Sequence, residues 1–116
     1  MSMRKIEKPW GHELIFAHTQ KYAGKILYIK KGEKLSYQYH NNKEETILLY
    51  KGKMLFEFEK ENTAQSLQLN PGDTFHIPPK MKHRMSALEE CEVFEVSSPE
   101  LEDVVRLKDA YGRCEK

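Results

Sequence analysis

Four side chains in this sequence have the types and the spacing that bind a metal ion. Gln38 and His40 are two residues apart, and Glu45 follows after a short polar run. In a β-strand, residues two apart point to the same face, so the amide and the imidazole would project together. Glu45 would share a face with the apolar Ile47, and a carboxylate there is costly unless it is paired or binds a metal. His83, which follows a proline-rich turn, would be a fourth inward polar group.

Imidazole nitrogens and carboxylate oxygens bind borderline divalent cations well. We therefore predict that Gln38, His40, Glu45 and His83 hold one divalent metal ion and leave room for a substrate or water. Zinc is the expected ion, with Mn, Co, Fe and Ni as alternatives. The competing interpretation is a polar hairpin whose histidines are ordinary buried residues with hydrogen-bond partners.

The elements that would position these residues are β-strands. Turn-forming segments rich in Gly, Pro, Asn and Asp recur at short intervals and separate segments rich in Ile, Leu, Tyr, Phe and Val. In residues 54–59, Met54, Phe56 and Phe58 share one face, while the two glutamates share the other. A period of two is typical of half-buried strands. The pattern predicts an all-β sandwich or barrel.

The tail is the one segment that leaves the secondary structure open. Ser98 precedes Pro99 and acidic residues follow, which resembles the start of a helix. The segment "DVVRL", residues 103–107, could equally be a short strand followed by a turn of helix.

Composition bounds the class of protein. The 116 residues, of which 39% are apolar and 32% charged, suit one globular domain over residues 1–116. A formal net charge of +1 does not favour nucleic acid or a membrane surface as partner. We find neither a signal peptide nor an apolar run long enough to span a bilayer, so a cytoplasmic protein is expected. Cys91 and Cys114 are expected to be reduced, with a disulfide between them as the alternative.

Two motifs in this sequence resemble those of the cupins. Gly32, Gln38, His40, Glu45 and Gly52 occupy the positions of the first cupin motif, with glutamine in place of the first histidine. Gly72, Pro78 and His83 match the second motif, and Lys80 stands where that motif has glycine. The resemblance implies a small jelly-roll β-barrel with a short C-terminal extension, and a metal ion held by the four residues named above.

A closer resemblance is to the C-terminal cupin domain of type II mannose-6-phosphate isomerases, and it covers nearly the whole chain. It rests on "KPWGHE" near residue 10, on "LSYQYH" at residues 35–40 and on the tail "DVVRLKDAYGR". The resemblance implies isomerisation of a phosphorylated sugar in a pocket lined by Arg106 and Arg113, with Arg84 as a further candidate. Guanidinium groups suit phosphate oxygens because they can bind them bidentately.

The leading hypothesis is therefore a metal-dependent aldose–ketose isomerase, with His76, Lys82 or Glu44 as its general base. Thr46 and Ile47 stand where the family has a histidine and a tryptophan. A metal-containing cupin that binds a sugar or sugar phosphate without turnover is hence the alternative, and a cupin dioxygenase is the third hypothesis.

We also expect a homodimer. The segment over residues 8–16 is predicted as an edge strand that needs covering, and the resemblance to the cupins supports the same expectation.

Overall fold

The computed structural model describes residues 3–113, and these form eleven β-strands and no helix. The strands are β1 Arg4–Lys8, β2 Gly11–His18, β3 Ala23–Ile29, β4 Tyr37–Tyr39, β5 Glu45–Lys51, β6 Met54–Lys60, β7 Thr63–Leu69, β8 Thr74–Ile77, β9 His83–Ala87, β10 Cys91–Ser97 and β11 Val105–Lys108. The predicted all-β class is confirmed. No helix capable of crossing a bilayer occurs among the described residues.

The strands form two antiparallel sheets that enclose one core. Six strands pair in the order β1-β2-β3-β10-β5-β8, and five pair in the order β11-β4-β9-β6-β7. Consecutive strands are therefore often in different sheets. As a result, β4 and β9 of the smaller sheet lie near the start of β5 in the larger one, which is where the predicted metal ligands are.

The core follows the alternation that the sequence predicts. Met54, Phe56 and Phe58 of β6 are buried, as are Ile47 and Leu49 of β5 in the opposite sheet. Each such side chain stabilises the fold by about 1.5–3 kcal/mol relative to an exposed one. Glu45 is in phase with Ile47 and Leu49, so its carboxylate must lie at the same buried face.

Of the two alternatives for the tail, the structure has the short strand, β11, and no helix start at residues 98–99. No turn of helix follows β11 up to residue 113. Residues 99–104 form turns, and β11 then pairs with β4 at the edge of the smaller sheet. β4 has only three residues. Its pairing with β11 satisfies backbone N–H and C=O groups that would otherwise be exposed beside the predicted metal site.

The N-terminal edge also differs from the prediction. Residues 8–16 are not one strand, because Pro9 and Trp10 form the turn between β1 and β2. Gly11 permits this hairpin to lie close to β3, since a Cβ there would come within 1.9 Å of the Tyr28 carbonyl oxygen. The strand at the edge of the larger sheet is therefore β1.

Cys91 is a buried free thiol, whereas Cys114 lies outside the described residues, so the disulfide alternative has no structural account.

Candidate metal centre and adjoining cavity

Three of the four predicted ligands meet inside the barrel. His40 follows β4, Glu45 begins β5 and His83 begins β9, and each is at most 3% exposed. One ligand atom from each lies within 4.8 Å of the others. The Nε2 atoms of His40 and His83 are each 3.7 Å from Oε1 of Glu45. Two imidazoles and a carboxylate thus converge in a buried position.

Backbone carbonyls fix both imidazoles in the tautomer that binds metals. Nδ1 of His40 donates to the Asp103 carbonyl oxygen at 2.6 Å, and Nδ1 of His83 donates to that of Met81 at 2.9 Å. Each Nε2 therefore presents its lone pair. Both Nε2 atoms are buried and have no hydrogen-bond partner among residues 3–113. Buried polar atoms are rarely left so, and a metal ion would satisfy both.

The electrostatics suit a cation. Burial lowers the pKa of His83 and outweighs the attraction of Glu45, so this imidazole is neutral. Burial alone would raise the pKa of Glu45, but the neighbouring His40 side chain and the charge of Lys43 lower it overall. A neutral His83 beside an ionised Glu45 matches the protonation states that a metal site requires.

A chain of buried charges continues from the three ligands. Nζ of Lys43 lies 2.9 Å from Glu45 and 2.8 Å from Glu95, so one ammonium group forms ion pairs with two carboxylates. Glu95 lies directly across from Lys25 on the neighbouring strand, and Lys25 is 3.6 Å from Glu13. All five are less than 9% exposed. Burial, followed by repulsion from Glu45, raises the pKa of Glu95.

The sequence-based prediction missed this chain, although alternation could have found it. Glu95 is in phase with the buried Val93, and Lys25 is in phase with the buried Leu27. A charged residue in phase with a buried face is paired or functional. Lys43 has no such signal because it precedes its strand.

A cavity of about 90 Å³ opens beside the candidate metal ligands. Gln38, His40 and Glu45 line it, whereas His83 is fully buried. The Gln38 side-chain oxygen accepts a hydrogen bond from Ser36 at 2.8 Å. A water needs roughly 10–15 Å³ on this measure, so the cavity has room for several waters or for part of a small ligand.

Two of the three predicted arginines line this cavity and the third does not. Arg106 lies across from Gln38 in the register of β11 and β4. Arg113 reaches the same cavity, and its guanidinium is held by Asp109 at 2.8 and 3.2 Å. Arg84 points to the outer side of β9, where it donates to the carbonyls of Leu35 and Lys108. Its neighbour His83 faces inward, so alternation places Arg84 on the opposite face.

None of the three predicted general bases lines the cavity. Glu44 and His76 are exposed on the outside of the larger sheet, where their side chains are 2.6 Å apart. Lys82 is also exposed, in the turn before β9. Their positions separate all three from the metal ligands.

Asp103 connects the tail to the loop between His40 and Glu45. Its carboxylate accepts hydrogen bonds from the backbone N–H groups of residues 41–43, at 2.6–2.9 Å. Its carbonyl accepts the His40 Nδ1 proton. Burial would raise the pKa of Asp103, but these three N–H donors lower it to about 2. No sequence signal identified this role, because it depends on a contact across more than sixty residues.

A protein-family model described as "Mannose-6-phosphate isomerase C-terminal" matches residues 1–109. Among curated proteins, the xanthan biosynthesis protein XanB of Xanthomonas campestris pv. campestris is 30% identical over 115 residues. A mannose-1-phosphate guanylyltransferase of Salmonella montevideo is 28% identical over 115 residues. Each alignment covers 95% of this chain and 24% of the relative. The chain thus spans about a quarter of the length of these relatives.

Solved structures share the fold. KdgF from Halomonas sp. superposes with a TM-score of 0.71 at 22% identity, covering 85% of this chain and 88% of that one. A mutant of oxalate decarboxylase from Bacillus subtilis superposes with a TM-score of 0.77 at 19% identity, covering 90% of this chain and 30% of that one. These likenesses establish the architecture, a cupin β-barrel.

Proposed function

The chain belongs to the mannose-6-phosphate isomerase C-terminal family, and from that premise we propose that it is a metal-dependent isomerase of a phosphorylated sugar. One observation carries the proposal. Two imidazoles, each with a buried Nε2 that has no hydrogen-bond partner among the described residues, face one carboxylate beside a cavity that arginines also line. Metal ligands and phosphate-binding groups are thus within reach of one small ligand.

The ligands proposed for the metal are Gln38, His40, Glu45 and His83. A bound divalent cation would act as a Lewis acid towards a carbonyl or hydroxyl oxygen of the sugar. Zinc fits the donor set, with Mn, Co, Fe and Ni as alternatives. Oxalate decarboxylase from Bacillus subtilis, which shares this fold, has Mn(II) centres, and this supports a metal in a barrel of this kind.

The remaining cavity residues would hold the sugar and the ligands in place. Arg106 and Arg113 would bind the phosphate group through their guanidinium forks. Lys43 holds Oε2 of Glu45, which leaves Oε1 directed at the two imidazoles. The reaction would move a proton between C1 and C2 through an enediol, with a base within hydrogen-bond reach.

The test is turnover. Protein loaded in turn with Zn, Mn, Co, Fe and Ni is incubated with mannose 6-phosphate, and fructose 6-phosphate is measured over time. We expect product with at least one metal, and none after chelation or in Glu45→Gln. A protein that contains its metal but forms no product with any of the five would contradict the isomerase proposal.

The second candidate function is binding of a sugar phosphate without catalysis. It is favoured by the positions of Glu44, His76 and Lys82 outside the cavity, and by Thr46 and Ile47 in place of the family's histidine and tryptophan. Calorimetry decides between the two. Binding of mannose 6-phosphate that Arg106→Ala abolishes, in the absence of any turnover, would support the binding function.

A homodimer and a cytoplasmic location remain predictions. Light scattering coupled to size-exclusion chromatography would test the dimer, and a mass of one chain at micromolar concentration would contradict it.

A further inference from the structure

The charges that line the cavity are divided unevenly between its two ends. Five cationic and three carboxylate side chains line it, a surplus of two positive charges. At the metal end, Glu45 and Glu95 share the single ammonium group of Lys43, which leaves one negative charge. Next to them, Lys25 pairs with Glu13. The metal end therefore attracts a cation, and the surplus of positive charge lies elsewhere.

That surplus comes from three side chains, here called the cationic mouth: Lys8, Arg106 and Arg113. Asp109, which does not line the cavity, pairs with the Arg113 guanidinium and offsets one of these charges. Lys8 is the last residue of β1 and is partly buried. Burial lowers the pKa of Lys8, the Glu13 carboxylate raises it, and the positive charges of Lys25, Arg106 and Arg113 lower it. Lys8 makes no ion pair with any described residue. An ammonium group placed among like charges in a cavity is well suited to an anionic ligand.

We propose that Lys8 completes a phosphate-binding site with Arg106 and Arg113, and that it gives the site its preference for a dianionic ester over a singly charged or neutral sugar. Nothing in the sequence patterns singled out Lys8. The identification of the ligand as a sugar phosphate rests on the proposed function. The two guanidinium groups supply bidentate hydrogen bonds, and the lysine supplies a point charge.

The sheet geometry orients the ligand. Arg106, Gln38 and His83 lie opposite one another on the adjacent strands β11, β4 and β9. Neighbouring strands are about 4.8 Å apart, so the Arg106 and His83 backbones are about 10 Å apart. An open-chain sugar phosphate could thus place its phosphate at the cationic mouth and its carbonyl end at the metal ligands. Gln38 lies between them, beside the middle of the carbon chain.

The test is calorimetry with three ligands that differ in charge. Mannose 6-phosphate, mannose 6-sulfate and mannose are titrated into zinc-loaded wild type, Lys8→Gln, Lys8→Arg and the control Lys5→Gln. Lys5 is on the same strand but is exposed and paired with Glu7. We expect Lys8→Gln to weaken the phosphate ester roughly 10- to 100-fold, the sulfate ester less and mannose not at all. Lys8→Arg should restore much of the loss, and Lys5→Gln should match wild type.

Equal affinities of wild type and Lys8→Gln for mannose 6-phosphate would overturn the proposal, as would equal losses for all three ligands. Failure of wild type to bind the phosphate ester would also overturn it. The result is independent of turnover. A protein that binds phosphate through Lys8 without isomerising it would contradict only the isomerase proposal, and turnover with an unchanged KM in Lys8→Gln would contradict only this one.

Discussion

The metal end of the cavity and its cationic mouth are built in different ways. His40, Glu45 and His83 are almost fully buried, and backbone carbonyls fix both imidazoles. Lys8 and Arg106, in contrast, are on β1 and β11, the edge strands of the two sheets, and are only partly buried. The metal end is thus organised before any ligand arrives, which is what catalysis and metal affinity require. The mouth can adjust to the ligand that it binds.

The difference has a simple origin in the topology. β5 and β9 each have a strand on both sides, so side chains at their first residues are surrounded by protein. β1 and β11 have one neighbour each and lie beside solvent. Substitutions at the metal end should therefore have large effects on metal affinity and on the stability of the fold. Substitutions at the cationic mouth should affect the binding of the sugar phosphate alone.

The largest expected effect on metal binding is that of Glu45→Gln. The amide keeps the shape of the side chain but loses the charge that faces both imidazoles. Loss of a residue that only hydrogen-bonds a metal ligand lowers affinity about 10- to 100-fold, so loss of this ligand charge should lower zinc affinity about 100-fold or more. Equilibrium dialysis measures it. Glu44→Gln is the matched control, because its side chain is exposed and should leave zinc affinity unchanged. Stoichiometric zinc in Glu45→Gln would contradict the assignment of this carboxylate.

Lys43→Met should destabilise the metal-free protein by about 3–5 kcal/mol, because it leaves Glu45 and Glu95 buried without their cation. Urea unfolding measures the loss, and Lys51→Met, at an exposed position, is the control. Adding Glu95→Gln to Lys43→Met should recover part of the stability. A loss below about 1 kcal/mol would show that the buried chain of charges is not a stability element.

Arg106→Met should weaken mannose 6-phosphate roughly 10- to 100-fold without lowering metal content, because charge-assisted hydrogen bonds to phosphate are lost. Arg84→Met is its matched control, since Arg84 binds carbonyl groups outside the cavity. Calorimetry on zinc-loaded protein measures both. An equal loss of mannose 6-phosphate affinity in the two variants would contradict the assignment of the phosphate site to the cavity.

Asp103→Asn should cost about 1 kcal/mol or more, because the amide keeps only one of the two oxygens that accept from the N–H groups of residues 41–43. The folded-state pKa of Asp103 is about 2 against an ordinary 3.8. Its stabilisation is therefore complete above about pH 4 and is lost as the pH falls towards 2. Urea unfolding from pH 5 to pH 2 should show the two proteins converging. A difference that persists unchanged at pH 2 would contradict this origin.

The smallest expected effect is that of Lys80→Gly, in the turn that leads to His83. Lys80 has a φ of 73°, a left-handed conformation that costs a residue with a Cβ about 1 kcal/mol. Glycine should raise stability by about 0.5–1 kcal/mol in thermal unfolding, whereas Lys80→Ala should show no gain. A loss in Lys80→Gly would mean that the Lys80 Nζ bond to Asn41, at 2.6 Å, outweighs the backbone strain.

Local patterns in the sequence predicted the strands and the burial of the candidate metal ligands, because both depend on spacing within a few residues. Alternation placed Gln38 and His40 together and put Glu45 on a buried face, and the structure agrees on the burial of His40 and Glu45. The same alternation would have excluded Arg84 and identified Glu95.

Other features depend on pairings between distant segments and could not be derived from spacing. Arg106 reaches the cavity because β11 pairs with β4, and Asp103 contacts residues 41–43 for the same reason. Lys8 reaches the mouth because β1 folds back on β2. Such registers are set by the packed core as a whole, and short patterns do not specify them.

The most direct test of the central claim is anomalous diffraction at the zinc edge from crystals of zinc-loaded protein. We predict one peak per chain within about 2.0–2.2 Å of Nε2 of His40, Nε2 of His83 and a carboxylate oxygen of Glu45. A fully loaded crystal with its zinc elsewhere, or with none beside these three atoms, would contradict the metal centre and the isomerase proposal that depends on it.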